Sequence, residues 1–545
     1  MPDDVRKTSL HVIGAPNTGK SKFLEGLIQQ DILNGEGVCL IDPHGQLFER
    51  LVNWCETANV AAWRKVLVID PTSRDLASSF NPLAVGRYEG QGNEPLTLDF
   101  CISAIARAIA QAWREYDTER TPRLRRLLYS LLHPLADEKL TILEAYELLA
   151  PGDEGAILRN YLARRGDDHV IRREWQVHVE RGEREFREMF DSTYSRLFEM
   201  LKAPVLRRIV GQDQRGINFL KLMNDRWVVL VNLASGGTLA DDNARFLGAL
   251  LVNDLFLAAR CRDEKTGASV PFHVYIDECS EFLNEDVARI LTEARKFGLH
   301  LVLAHQDLAQ LRAEGERVYK AVMGSARSKV VFALEEEEDA ETMALRIYRS
   351  ELDLEEPKHA LDKPVAVGFE TITLQGSARS EATSEADAAE SEATLYRDGS
   401  VTGRTEAVNE PGRSHSRVEA SSQHEAREAV LAWLPTSVYS LEEQRHRKAV
   451  AVAEQLQRHA IIKMPGQRAR EIVVPMIRGG VAAAERCVRF KRTLMLSDGA
   501  AAPIEQVERE ITERRQALLA HAKARLLHQE PVAAPPPRPE DDGWA

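Results

Sequence analysis

The sequence predicts an α/β fold built on a mostly parallel sheet covered on both faces, and three observations lead to that reading. Seven short runs are β-rich and almost continuously apolar: LHVI at 10, VCLID at 38, VLVID at 66, WVVLVNL at 227, FHVYIDE at 272, HLVLAHQ at 300 and KVVFALE at 329. Most are separated by helical patterns, and uninterrupted apolar strands alternating with helices are what a sheet buried on both sides requires. The first run leads into a glycine-rich turn, G-x-x-x-x-G-K-S from Gly14 to Ser21, and then into a helical pattern carrying Phe23, Leu24, Leu27 and Ile28.

The same pass along the chain divides it. Residues 1–95 form the first part of the α/β core and residues 216–374 the second. Between them, 96–215 are rich in Arg, Leu and Glu with helical periodicity, and an insertion this long reads as its own all-α domain rather than as a loop. From 375 to 428 Ser, Glu, Ala and Arg dominate and large apolar residues nearly vanish, so the stretch is expected to be a disordered linker. A small C-terminal α+β appendage, 429–530, and a proline-rich mobile tail, 531–545, complete the order.

Composition bounds the classes of function. With 545 residues, 44% hydrophobic and 28% charged, the chain is long enough for several domains and ordinary for a water-soluble protein. No apolar run reaches the roughly 18 residues a membrane span needs, and the first residues lack a secretory signal pattern, so a cytoplasmic location without a direct membrane span is expected. Met1 reads as a natural start. Six scattered cysteines without a C-x-x-C pair argue against a zinc site or a disulfide framework. A net charge of −13 argues against a surface that coats nucleic acid, but not against contact along a narrow channel.

The glycine-rich turn has the strand, loop, helix context of a phosphate-binding loop. Glycines let the backbone approach an anion, and the following helix N-terminus points N–H groups at it. Gly14, Ala15, Asn17, Thr18, Gly19, Lys20, Ser21 and Lys22 are therefore the expected nucleotide-binding set, with Lys20 at the β- and γ-phosphates and Ser21 on Mg²⁺. Cutting the bound triphosphate requires carboxylates at the end of a neighbouring strand. HVYIDECSEFL supplies Asp277, expected to hold Mg²⁺, and Glu278, expected to act as general base toward water. Gln306 ends the next strand, where a neutral amide can sense the γ-phosphate. Arg295 and Lys296 fall at the last turn of a helical pattern that Gly298 closes, so Arg295 reads either as a dipole-favoured basic residue or as an arginine finger reaching a neighbouring subunit.

Two neighbouring classes fit less well. DPHG at Asp42 to Gly45 matches the switch pattern of small GTPases, but no N-K-x-D or T-K-x-D follows to read guanine, which leaves Asp42 as a strand-end residue without an assigned role. A phosphate-transferring kinase is disfavoured because Glu278 directly after Asp277 suits activation of water, and no lid-like arginine cluster accompanies it.

The ordered set GAPNTGKSKFL, IDPHGQLFERLV, FNPLAV, TPRLRRLLYSLL, WVVLVNLASGGTLADDNARFLGALLVNDLF, VYIDECSEFL, TEARKFGLHLVLAHQDLAQL and ARSKVVFALEEEEDAE resembles the TraG/TraD-like coupling ATPases of conjugation and type IV secretion, within the HerA/FtsK superfamily of ring motors. The resemblance spans about 9–341 and returns more weakly in AVAEQLQRHAIIKMPGQRAREIVVPMI. It implies a RecA-like P-loop NTPase core with an inserted all-α domain, ATP and Mg²⁺ as cofactors, a homo-hexameric ring and DNA passing through its pore. It also makes Arg295 the arginine of the family's RKFG stretch, a trans finger, and Gln306 the glutamine of its third motif. Family members in secretion carry transmembrane helices before the ATPase. None is expected here, so a membrane-anchored or other protein would recruit the motor. ERTPRLRRLL, Glu119 to Leu128, is a basic candidate for phosphate contacts. The alternative is a nucleotide-dependent assembly or switch ATPase that recruits protein partners, in a mobile-element or anti-phage system, without translocating DNA.

Overall fold

The computed structural model describes residues 9–88, 97–113, 121–165, 168–262, 270–283, 294–353, 362–384, 394–397, 400–410, 413–435 and 439–527. All seven apolar runs are strands of one sheet: β1 Leu10–Ile13, β2 Gly37–Asp42, β3 Val66–Ile69, β5 Val228–Asn232, β6 Phe272–Ile276, β7 Leu299–His305 and β8 Ser328–Val331, with a short β4 Leu76–Ser78 outside it. In space they run β8-β1-β7-β6-β2-β5-β3, every neighbouring pair parallel. Successive residues point to opposite faces of a strand. Accordingly Cys39, Ile41, Leu67, Ile69, Val229 and Val231 enter one core, while Val38, Leu40, Val66, Val68, Val228 and Leu230 enter another on the opposite face. Both sets are apolar because both faces are covered, and each such side chain contributes about 1.5–3 kcal/mol by leaving water.

The first core continues into helices. Between β4 and β5 the regular elements of the described chain are all helices, including Leu98–Ala112, Thr121–Asp137, Ile142–Leu149, His169–Glu180, Glu183–Leu201 and Pro204–Val210. Thr141 caps Ile142–Leu149 by a reciprocal box with Glu144, and Asp168 accepts from the Val170 and Ile171 amides to start His169–Glu180. Trp175 is fully buried and stacks on Phe190 at 6.1 Å. The second core is roofed by the helices Lys20–Leu33 and Gln46–Thr57.

The C-terminal α+β segment adds to this unit, which comprises Met1–Glu351 and Arg447–Ala545. Strand β13, His459–Lys463, pairs antiparallel with β8, and β14, Arg470–Val473, pairs with β13, so the sheet grows to nine strands. The helix Ala484–Met495 sends Leu494 and Met495 into the second core, and β15, Ala501–Pro503, pairs antiparallel with β4. The last helix, Ile504–Leu527, lies on the helical region: Arg514 meets Glu144 and Asp213, and Arg215 meets Glu510. Docking of these elements was not visible in local patterns, because, apart from the hairpin partner β13 of β14, their partners lie more than 100 residues away.

The second unit is Leu352–His446. Over 375–428, where composition predicts a disordered linker, and in the residues flanking it, the described strands are β9 Asp362–Ser384, β10 Thr394–Arg397, β11 Ser400–Glu410 and β12 Arg413–Pro435, antiparallel in the order β10-β11-β12-β9. Strands β12 and β9 pair from Ser414↔Ser384 to Pro435↔Asp362. The tail 531–545 lies outside the described residues.

Candidate nucleotide-binding site

Parallel strands deliver their C-terminal ends to one edge of the sheet, and in open α/β folds that edge is where ligands bind. Here β1 ends in the glycine-rich loop, β6 in Asp277 and Glu278, β7 in Gln306, β2 in Asp42, β5 in Asn232 and β3 in Asp70. The loop has the two glycines it needs. A Cβ on Gly14 would sit 2.5 Å from the Cβ of Phe332, and Gly19 has φ +116 with the Arg458 Cα 3.1 Å from where a Cβ would stand. The loop leaves β1 by an Ala15 amide bond to the Ala333 carbonyl at 2.9 Å, and Thr18 donates its hydroxyl to the Ala15 carbonyl at 2.8 Å. Lys20 opens the helix Lys20–Leu33, with Ser21 in the first turn.

The sequence-predicted residues converge. Lys20 Nζ donates to Glu278 Oε1 at 2.9 Å, and Gln306 Nε2 donates to the same oxygen at 3.0 Å. Lys20 and Glu278 are both buried, and Glu278 is held at φ 44, a left-handed conformation that a non-glycine residue seldom adopts. Such outliers cluster at functional sites. Asp277 is buried beside it; burial, the Glu278 charge and the Asp42 charge outweigh the attraction of Lys20 and push its carboxyl up to about 6. Ser21 and Asp277 offer hard oxygen donors, a set that fits Mg²⁺.

Arg295 lies in the short turn Ala294–Phe297, ahead of Gly298 at φ 68, but its side chain and residues 284–293 lie outside the described set. The helix expected over Val287 to Phe297 therefore lies largely outside it too. Within the basic stretch, Glu119 and Arg120 are also outside, and Thr121 opens the helix Thr121–Asp137. Asp42 now has a structural role: its two oxygens accept the His44 and Phe48 amides at 2.9 and 2.8 Å, shaping the turn into the helix Gln46–Thr57.

Several residues at this edge escaped the motifs. His305 Nδ1 donates to the Asp307 carbonyl at 2.7 Å, which leaves Nε2 to accept from His11 Nε2–H at 2.6 Å. Burial keeps this pair neutral, with His305 pushed down to about 4. Asn232 donates to Asp70 Oδ1 at 3.0 Å, and Lys491 from the helix Ala484–Met495 reaches Asp70 Oδ2 at 2.9 Å. Asn232 and Asp70 were findable as polar residues closing apolar runs; Lys491 had no local signal.

Residues 272–366, which begin at β6, match the family model described as the Type IV secretion-system coupling protein DNA-binding domain. Among solved structures, the bacterial conjugative coupling protein TrwBdeltaN70 is 16% identical, with a TM-score of 0.50 over 89% of each chain. The chain has the coupling-protein fold. Plasmid coupling protein TrwB with a non-hydrolysable ATP analogue gives a TM-score of 0.51 at 14% identity over 89% of each chain. VirB4 of Thermoanaerobacter pseudethanolicus matches at a TM-score of 0.41, 14% identity, covering 64% of this chain and 82% of that one. No curated protein matches the chain. Among the described residues no helix of this coupling-protein fold is long and apolar enough to cross a membrane.

Proposed function

We propose that the chain is an ATP-hydrolysing DNA motor of the type IV coupling class, acting as a homo-hexameric ring in the cytoplasm. The observation that carries the reading is the meeting of Lys20, Glu278 and Gln306 on one buried carboxylate oxygen where β1, β6 and β7 end side by side. Backbone N–H groups of the loop and Lys20 bind the β- and γ-phosphates. Glu278 then leaves Lys20, orients water in line with the γ-phosphorus and takes its proton as the phosphoryl group departs. Gln306, released from Glu278, donates its amide to the γ-phosphate and so couples its presence to β7. Mg²⁺, held by Ser21 and by Asp277, would neutralise charge on the phosphate oxygens. Arg295 is proposed to reach the γ-phosphate of the adjacent subunit.

DNA is supported by the family match over 272–366, and ATP by the loop geometry together with the analogue bound to TrwB. The test is the ATPase rate of the full chain with and without single- and double-stranded DNA across a salt series. Stimulation that fades as salt rises is the expected result, because phosphate contacts release counterions. Hydrolysis indifferent to both DNAs would replace this reading with a nucleotide-dependent assembly ATPase.

A further inference from the structure

The phosphate loop is held from outside by a turn more than 400 residues away in the chain. Gln457 Nε2 donates to the Asn17 carbonyl at 3.0 Å, and the Arg458 amide donates to the Thr18 carbonyl at 2.7 Å. Arg458 itself sits at φ 69, where L side chains are rare. It is kept there by a bracket: its guanidinium donates twice to the Val474 carbonyl, at 3.0 and 2.8 Å, and the Val474 amide donates back to the Arg458 carbonyl at 2.8 Å. The bracket extends the β13–β14 pairing, whose last rung is His459↔Val473, by one position, and Val474 is buried in the second core.

The consequence follows from the planarity of the peptide unit. In a trans peptide the C=O and the next N–H point in opposite directions. Binding the Asn17 and Thr18 carbonyls on the outer side therefore turns the Thr18 and Gly19 amides to the inner side, where phosphate oxygens are expected. With Asn17 at φ 62 and Gly19 at φ 116, the loop makes neither helix nor sheet bonds that would set this orientation alone. We infer that the turn at Gln457 and Arg458 is a positioning element of the nucleotide site, aiming the phosphate-binding amides, so that nucleotide affinity depends on the C-terminal β-hairpin. This rests on the nucleotide reading of the glycine-rich loop.

The experiment uses the full chain with Gln457→Ala and, separately, Arg458→Gly, which suits the backbone angle and keeps the amide but removes the bracket. Equilibrium binding of a fluorescent methylanthraniloyl ATP is measured beside steady-state kinetics and thermal melting. For Gln457→Ala the loss of one neutral hydrogen bond predicts binding weaker by about two-fold to twelve-fold. For Arg458→Gly the two guanidinium bonds to the Val474 carbonyl are lost, and a weakening at least as large is expected. In both, KM rises to match while kcat stays within about two-fold. Gln457 is exposed at the contact, so its variant is expected to fold normally. Unchanged affinity and KM in both variants would overturn the inference, as would a lowered melting temperature with affinity intact, the mark of a merely structural turn. A wild-type chain that binds no ATP would overturn the nucleotide reading and this inference together; a binding wild type with indifferent variants overturns this inference alone.

Discussion

Lys20 and Glu278 neutralise each other while buried, and Gln306 shares the contact, so all three are poised to be redistributed when a triphosphate arrives. Removing the ammonium takes away the charge that meets the phosphates, and Lys20→Ala is expected to reduce hydrolysis to background. Glu278→Gln keeps the shape but cannot take a proton. It is expected to bind ATP and to lose about 10²- to 10⁴-fold in kcat, as loss of a general base does; wild-type turnover in that variant would remove Glu278 from the base role. Asp277 makes a prediction about pH. Its folded-state carboxyl is raised to about 6 from 3.8, chiefly by burial, so the folded chain binds the proton more tightly than the unfolded one. The resulting stabilisation is fully present below about pH 4 and is lost as pH rises through about 6, a change of up to about 3 kcal/mol. The difference in urea unfolding free energy between wild type and Asp277→Asn, measured in EDTA from about pH 4 to 8, should follow this slope, because the oppositely signed titration of the neutral His11–His305 pair is common to both chains.

The helices beneath and beside the site carry their own tests. In the helix Asp241–Arg260, a Cβ added to Gly248 would fall 2.3 and 2.4 Å from ring atoms of the fully buried Phe282, just beyond Glu278. Alanine is the better helix former by about 1 kcal/mol, but overpacking a closed core costs about 1–3 kcal/mol. Gly248→Ala is therefore expected to be destabilising, and a raised midpoint in urea would contradict the packing described. On the helix Ile504–Leu527, adjacent arginines differ in burial. Arg514 is 13% exposed and shared between Glu144 and Asp213, whereas Arg515 is 54% exposed against Glu147 and Glu154. Breaking a largely desolvated pair strands its partner charge, while an exposed pair contributes about 0–1 kcal/mol. Arg514→Ala should cost about 2 kcal/mol or more and Arg515→Ala less than about 0.5 kcal/mol, compared in the same unfolding assay.

A ring that hydrolyses ATP between subunits makes activity a property of neighbours. If Arg295 serves the adjacent subunit, mixing Arg295→Ala chains into wild-type chains should depress activity more steeply than dilution, because one defective chain disables a site on another. Strictly proportional loss would instead make Arg295 a local helix-end residue. The mixing curve reads subunit coupling directly, and the ATPase rate is its only required observable. The unit that would assemble is closed by its own C-terminal segment: β13 and β14 finish the sheet beside β8, while Ala484–Met495 and β15 brace its other end near β3 and β4.

Local spacing carried the seven strands, the glycine-rich loop and the strand-end positions of Asp277, Glu278 and Gln306, because each is a short-range pattern: apolar runs, a fixed glycine interval, acids or an amide closing a strand. The same patterns were mute about partners. Asp42 matched a switch motif, yet both its oxygens serve the turn into Gln46–Thr57. Composition at 375–428 carries no strand register, which β9 and β12 set between themselves. Lys491 reaching Asp70, Arg514 reaching Glu144 and Arg458 holding the Thr18 carbonyl join positions hundreds of residues apart. The sequence by itself determined the seven core strands, the glycine-rich loop and the strand-end positions of Asp277, Glu278 and Gln306, since backbone propensity and strand-end placement act over a few residues. Only the tertiary structure decided which strand lies beside which and what each buried polar atom bonds to, since a donor or acceptor taken out of water must find its partner wherever packing brings one.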